Sequence, residues 1–313
     1  MDDAPIRDQP LLTWTNVALA FSFVAFDAVL SSVYRLGISS SLISAAFRCT
    51  IQLTVMALVL ESIFKTKNPY GVAGLALLLT LLGTLEIVAN KCKRRHKYIF
   101  FSTFIAMFCA IVPVSVIGTR FGMSVVPFWT PESFIPVVGM LSGNSISAIV
   151  VSIDYVLKEF VENRDKIEVY LAFGASRLEA CRPIAKQALR IALTPMISQM
   201  SVIGMISIPG AMTGSILGGA SVQQAARLQM VLMFMISSVV VLSSIVATGF
   251  ALMIVVDQEH RIRMDRIDSS KFIVWRYREQ LFRKLGEVGS RVVDWIRDPL
   301  GKRGQIRLDG EQE

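Results

Sequence analysis

Charge is scarce in this sequence. Only 18% of its 313 residues are Asp, Glu, Lys or Arg, while 53% are hydrophobic. Soluble domains carry about 25% charged residues, so a chain wetted on all sides is excluded. Cysteine is sparse as well. Cys49, Cys92, Cys109 and Cys181 stand apart with no CxxC pair, which gives neither a disulfide framework nor a zinc site. Two histidines, His96 and His260, are too few for a His-based metal centre, and the sequence is expected to hold no metal site. No phosphate loop of the Gly-x4-Gly-Lys-Ser/Thr type occurs, so ATP hydrolysis is not expected on this chain. No His–carboxylate cluster or nucleophile–base spacing is visible, which sets an intramembrane enzyme last among the readings. The opening MDDAPIRDQP is acidic where a signal peptide would be basic.

What is there is apolar, in runs long enough to span a bilayer. Seven can be cut out: Leu11–Val33, Leu42–Phe64, Pro69–Asn90, Tyr98–Gly118, Thr130–Leu157, Ala188–Ile208, and a long one from Ser221 to Val256. Asn68-Pro69 and Thr130-Pro131 each place a capping residue before a proline at the first helical position. Ser221 and Gln224 have capping-box spacing. The sequence therefore predicts an all-α, polytopic membrane bundle of about seven transmembrane helices. Residues 1–10 form an extension, 11–257 the transmembrane domain, and 258–313 a basic tail. The formal charge of +8 sits in loops and tail, as topology requires, and does not point to nucleic acid. Arg35, the KCKRRHK segment from Lys91 to Lys97, the stretch Lys158–Arg190 and the tail fall on one side; Lys65 and Lys67 are the exception. By the positive-inside rule that side is cytosolic, with the N-terminus outside and the C-terminus in the cytosol. Organelle is not encoded. In the tail, Phe272, Val274, Trp275, Leu281, Phe282, Leu285, Val292 and Trp295 suit an amphipathic helix, and a solvated regulatory tail suits equally.

One cytosolic stretch, about 158–187, is punctuated with care. Its centre reads VYLAFGASRLEACRPIAKQ, from Val169 to Gln187. Gly174 fits a helix stop, because glycine enters the left-handed region without steric cost. Ser176 then caps a new helix, and Glu179 three residues later completes a capping box. Leu171, Phe173 and Leu178 supply apolar contacts. Such an element is either a docking foot or a plain loop, and capping alone does not choose.

The pattern Glu168-x-x-Leu171-Ala172-x-Gly174-Ala175-Ser176-x-x-Glu179-Ala180 resembles the cytosolic coupling loop of ABC-transporter permeases. Val169 and Tyr170 replace that motif's alanines. Three further stretches, in order, narrow the resemblance: Arg48-x-x-x-Gln52-Leu53, Gly139-Met140-x-x-Gly143-Asn144, and Ile208 through Gly219. Together they closely resemble the permease family of bacterial FetB, an iron-export permease, and of the plant aluminium-sensitivity (STAR-type) permeases. Ala211 and Ser215 depart from the methionine and glutamine frequent there. The resemblance implies a coupling role for Glu168, Leu171, Ala172, Gly174, Ala175, Ser176 and Glu179. It also implies a soluble ATP-binding-cassette ATPase as partner, ATP on that partner with no cofactor on this chain, two copies of the chain per complex, and export of a metal ion or small solute.

Several polar residues fall inside the runs. Asp27 lies mid-run in the first. Arg48 and Gln52 share a face of the second, as do Glu86 and Asn90 of the third. Asn144, Ser147 and Asp154 lie along one face of the fifth. A charge at mid-membrane costs about 2.5–3.5 kcal/mol on insertion scales, so these groups should face the bundle interior. For Asp27, Arg48 and Glu86 a helix clamp is favoured; for Asn144 beside Gly143, a translocation path. Asp154 also suits the headgroup level. Pro209 to Gly219 is too rich in glycine for continuous helix, and its residues Pro209, Met212, Thr213 and Gly214 suit either a packing hairpin or a gate. The methionines of the last two runs, Met196, Met200, Met205, Met212, Met230, Met233 and Met235, read best as core filler. An ATPase-independent channel or secondary transporter, coupled through Asp27, Arg48 and Glu86, is the alternative function.

Overall fold

The computed structural model describes residues 13–66, 68–257, 259 and 261–268. The expected extension over 1–10 and the amphipathic part of the tail lie outside the described residues. The chain divides into two compact units, Met1–Asn68 and Pro69–Glu313.

The first unit holds α1 (Trp14–Val33) and α2 (Ser39–Thr66). They pack as a hairpin, with Phe21 and Phe47 meeting at 5.2 Å between ring centroids. Most of its apolar side chains are exposed, Phe23, Phe26, Ile51 and Leu53 among them. A pair of helices has too little inward face to bury two continuous apolar surfaces, and lipid can cover the remainder.

The second unit holds α3 (Pro69–Glu86), α4 (Ile99–Ile117), α5 (Pro131–Glu162), α6 (Arg164–Ala172), α7 (Arg177–Val202), α8 (Gly210–Leu217) and α9 (Val222–Val255). A π-helical turn extends α3 over Ile87–Lys91, and another extends α4 over Gly118–Gly122. The core lies where α5 and α9 run against each other, flanked by α3, α4 and α7. Ile149, Ile153, Val156, Leu157 and Phe160 of α5 are fully buried there, with Val239, Ala247, Ala251 and Val255 of α9. Small residues let the backbones approach, as membrane helices require. A Cβ on Gly118 would meet the end of the Met235 side chain at 2.2 Å, so Met235 packs directly against this glycine. Several buried hydroxyls are satisfied within their own helices: Ser145 donates to the Leu141 carbonyl at 2.8 Å and Thr84 to the Thr80 carbonyl at 2.9 Å, whereas those of Ser142, Ser244 and Thr248 have no partner among the described residues. Hydroxyls paired in this way can sit in an apolar interior at little cost.

Among the described residues six helices are long and apolar enough to cross a membrane: α1, α2, α3, α4, α5 and α9 with their π turns. The protein is a polytopic helical membrane protein. The expected sixth run takes a different form. Its helix, α7, starts earlier, at Arg177, and stops at Val202 rather than Ile208. Arg177, Glu179, Arg182, Lys186 and Arg190 fall within its first fourteen residues, which leaves no sufficiently apolar stretch, and it is not among the six. The capping signals also divide. Ser221 accepts the Gln224 N–H at 3.3 Å as expected. Thr130 stands at the N-cap of α5 without capping it, because its hydroxyl donates to the Pro127 carbonyl at 2.7 Å.

Candidate functional site

The helical hairpin forms where the sequence placed it. α5 ends at Glu162, and one residue later α6 begins. Arg164 and Glu168 pair along α6 at 2.6 Å, four residues apart on one face. Ile167, 2% exposed, anchors the short helix to the body. The turn is a Schellman cap: Ala175 N–H donates to the Tyr170 carbonyl and Gly174 N–H to the Leu171 carbonyl, both at 3.1 Å. That geometry needs the left-handed region, and Gly174 has φ +86°. The capping box then opens α7. Glu179 N–H reaches Ser176 Oγ at 3.4 Å, and Ser176 N–H reaches Glu179 Oε2 at 2.9 Å. The Ser176 hydroxyl and backbone N–H together hold the Glu179 carboxyl below its ordinary range.

The surface of this foot is unusual for a polar segment. Phe173 is 88% exposed at the corner, Leu178 67%, and Val169 and Tyr170 are exposed beside them. Arg164, Asp165 and Lys166 in the first turn of α6 and Arg182 on α7 are exposed too. Apolar side chains in a charged setting face water, and exposed apolar surface of that kind marks a contact site. Glu168, Leu171 and Ala175 are half-buried, whereas Ala172, Gly174, Ser176 and Glu179 are exposed.

The Lys91–Lys97 segment, the end of α5 and the chain after α9 come together within the second unit. Asp154, near the end of α5, accepts the backbone N–H of Lys93 at 3.1 Å and of Arg94 at 3.3 Å. Arg95–His96 (β1) pairs antiparallel with Ile267–Asp268 (β2). Asp257 binds Arg263 Nε at 3.0 Å and Arg266 at 3.4 Å, folding the chain back after α9. A cleft of about 460 Å³ beside the foot is lined by Arg164, Glu168, Leu171 and Ala172 from α6 and by Arg261 and Ile262 from this returning strap. The strap and the anchoring role of Asp154 were not legible in the sequence. A carboxylate close to a span end was the only signal. His96 is buried at 2% exposure with Nε2 at 3.2 Å from Ser102 Oγ, and burial pushes its pKa down to about 4. Burial also drives the Cys92 thiol up to about 12.

The residues expected along a path or in a helix clamp are divided between the two units. Asp27, Arg48 and Gln52 are exposed on the helical hairpin of the first unit. In the second unit Asn90 Nδ2 donates to the Glu86 carboxylate on the same helix. Asn144 is half-buried and donates to the Met140 carbonyl at 2.9 Å. Gly143 beside it is exposed, with open space where a Cβ would stand. Ser147, four residues on, is exposed on the same face, so the two mark an exposed strip of α5.

The glycine-rich segment corrects an expectation. α7 has already ended at Val202, and Pro209 stands at the N-cap of the next helix; Gly210 and Gly214 do not prevent helix, and Gly210–Leu217 forms α8. Gly219, at φ +94°, closes it with a second Schellman cap: Ala220 N–H donates to the Ser215 carbonyl and Gly219 N–H to the Ile216 carbonyl. Thr213 and Gly214 are exposed on α8, while Pro209 and Met212 face a cavity of about 380 Å³ together with Met200, Met230 and Met233. These methionines therefore border an opening. Buried Gln229 lines it too, and its Oε1 has no protein partner.

Comparison with known proteins agrees with this architecture. The model of the family described as "Uncharacterised protein family (UPF0014)" matches residues 14–255, from α1 to the end of α9. The chain is 33% identical over 230 residues to the UPF0014 membrane protein STAR2 of Oryza sativa subsp. japonica, covering 73% of this chain and 79% of that protein. It is 31% identical over 234 residues to Protein ALUMINUM SENSITIVE 3 of Arabidopsis thaliana, covering 74% and 83%. It is 27% identical over 241 residues to the probable iron export permease protein FetB of Escherichia coli (strain K12), covering 75% and 89%. No solved structure matches. With its whole helical body inside the match, this chain belongs to the UPF0014 family of membrane proteins.

Proposed function

We propose that the chain is the membrane-spanning permease subunit of an ABC-type transporter, driven through the foot by a separate ATP-hydrolysing subunit. The observation that carries this reading is the foot itself: a glycine-cornered helical hairpin that holds Phe173 88% exposed among charged residues. An apolar edge of this kind suits insertion into a groove on a partner. Force applied at the Gly174 corner passes to α5 through the one-residue joint at Asn163, and to α7 through the capping box. Ile167 on α6 and Ala180 and Cys181 on α7 are buried, so the foot moves with the body. Tilting α5 and α7 would then change access along the Gly143–Asn144 strip. ATP is used on the partner, the working unit contains two copies of this chain, and the foot end faces the cytosol. The name of the Escherichia coli relative supports a metal ion or small solute as cargo, moved outward.

The test is purification of the tagged chain in mild detergent, with identification of what accompanies it. An ATPase of the ATP-binding-cassette type that is retained by the native chain and lost on Gly174→Trp supports the proposal. Transport that proceeds without such a partner, and survives Gly174→Trp, would establish a channel or secondary transporter instead.

A further inference from the structure

At the foot end of the second unit a cleft of about 630 Å³ opens between the Lys93–Arg94 loop, α5 and α7. Its volume lies within the range of about 300–1,000 Å³ that holds small ligands. The lining combines two chemistries. Lys93, Arg94 and Lys158 supply three cations, and Asp154 is the one carboxylate among the lining residues. Val150, Val151 and Ile191 form an apolar wall. On α5 the two valines lie one turn before Asp154 and Lys158 one turn after it. Lys158 is therefore about 10 Å from the valines along the helix axis, and Asp154, which holds the Lys93–Arg94 backbone, about 5 Å from them.

We propose that this cleft is a binding site for an anionic phospholipid, its phosphate at Lys93, Arg94 and Lys158 and the start of an acyl chain on Val151 and Ile191. The carboxylate does not oppose this. Its oxygens accept the backbone N–H groups of Lys93 and Arg94, which fixes the backbone from which both cationic side chains rise. Lys158 lies 3.6 Å from Glu162, but that pair is about half exposed on both sides. Exposed pairs are screened and readily exchanged. Val151 and Ile191 are each 37% exposed on the side of their helices that lines the cleft. A soluble anion has no use for an apolar wall below the charge; an acyl chain does. Tyr155 adds an amphipathic ring of the kind enriched at headgroup level. Basic pockets between spans on the cytosolic side suit anionic headgroups in general. The lipid bridges the loop after α3 to α5 and α7, the two helices that flank the foot, so bilayer composition acts on the element proposed to receive force. The site itself stands whether or not an ATPase docks there.

The experiment uses the full chain in nanodiscs of equimolar phosphatidylglycerol and phosphatidylcholine, released for native mass spectrometry, with helicity of every variant checked by circular dichroism. The native chain is expected to retain phosphatidylglycerol over phosphatidylcholine. Each basic residue near an anionic lipid contributes about fivefold, so Lys93→Gln/Arg94→Gln/Lys158→Gln is expected to weaken retention about a hundredfold. Lys93→Arg/Arg94→Lys/Lys158→Arg is expected to keep it. Lys65→Gln/Arg120→Gln/Lys186→Gln removes the same charge elsewhere and is expected to change little. Ile191→Trp fills the wall with every charge intact and is expected to lower retention as well. The proposal is overturned if the two Gln triples lose lipid equally, if Ile191→Trp retains lipid like the native chain, or if excess inorganic phosphate displaces the lipid, which would mark a soluble-anion site.

Discussion

Substituting Gly174 separates a docking foot from an ordinary loop. The residue sits at φ +86°, and an added Cβ would meet nothing within 4 Å. Inside the chain the cost of a side chain is therefore backbone strain alone. An L-residue in the left-handed region costs about 1–2 kcal/mol, which shifts the corner's equilibrium about fivefold to thirtyfold. Asparagine tolerates that region better than alanine does. Helix α6 stays anchored by Ile167 and α7 by Ala180, so global folding should survive every substitution. On strain alone, Gly174→Ala is worse than Gly174→Asn. On steric exclusion from a partner's groove the order reverses, because asparagine adds bulk beside Phe173. Gly174→Trp suffers both effects. The assay is the amount of ATPase retained by each purified variant, with ATP hydrolysis by the reconstituted complex beside it. The docking reading expects retention in the order native, Ala, Asn, Trp, with Trp at background. Retention that follows the strain order, or Trp at the native level, would refute it.

Four other outcomes are expected. Ser176→Ala removes the hydroxyl that caps α7 and should cost about 1 kcal/mol of local stability, seen as faster amide exchange over residues 176–180. The Glu179 carboxyl is depressed by its Ser176 partners, so its contribution is present above the ordinary carboxylate range and lost as pH falls through the lowered value; Glu179→Gln should flatten that acid limb of amide exchange. His96 is neutral in the fold with a pKa of about 4 against an ordinary 6.5, so protons favour the unfolded chain below pH 6.5, and roughly 3 kcal/mol is lost on acidifying to pH 4; a thermal melt of His96→Gln in detergent should lack this slope. On the Ala175→Cys background a membrane-impermeant maleimide should label residue 175 from the cytosolic side alone, while buried Cys92, its thiol held up to about 12, stays unlabelled until the chain is unfolded; labelling of 175 from the far side would place the foot in the wrong compartment.

Much of this protein was written locally. Spans such as Pro69–Glu86 and Val222–Val255 follow from the length of apolar runs, because a bilayer accepts only backbone paired within its own segment. The Gly174 corner and the Ser176–Glu179 box are equally local: each hydrogen bond closes over five residues or fewer, so residue types at fixed offsets settle them. The same locality misled at Pro209–Gly219. Glycine lowers helix propensity by about 1 kcal/mol per residue, and this was not enough to prevent the short helix before the Gly219 cap.

Other features depend on residues far apart in the chain. Asp154 meets the backbone of Lys93 and Arg94 across sixty positions, and Arg95–His96 pairs with Ile267–Asp268 across a still longer gap. The opening bordered by methionines draws on α7, α8 and α9 at once. No window of sequence contains such meetings. They arise when α5 and α9 bury their small and β-branched faces against each other, and that packing fixes which ends of which helices become neighbours. The sequence by itself determined the spanning elements and the shape of the foot, since hydropathy and capping act between near neighbours. Only the tertiary structure decided what lies beside the foot, since close packing between distant helices set those positions.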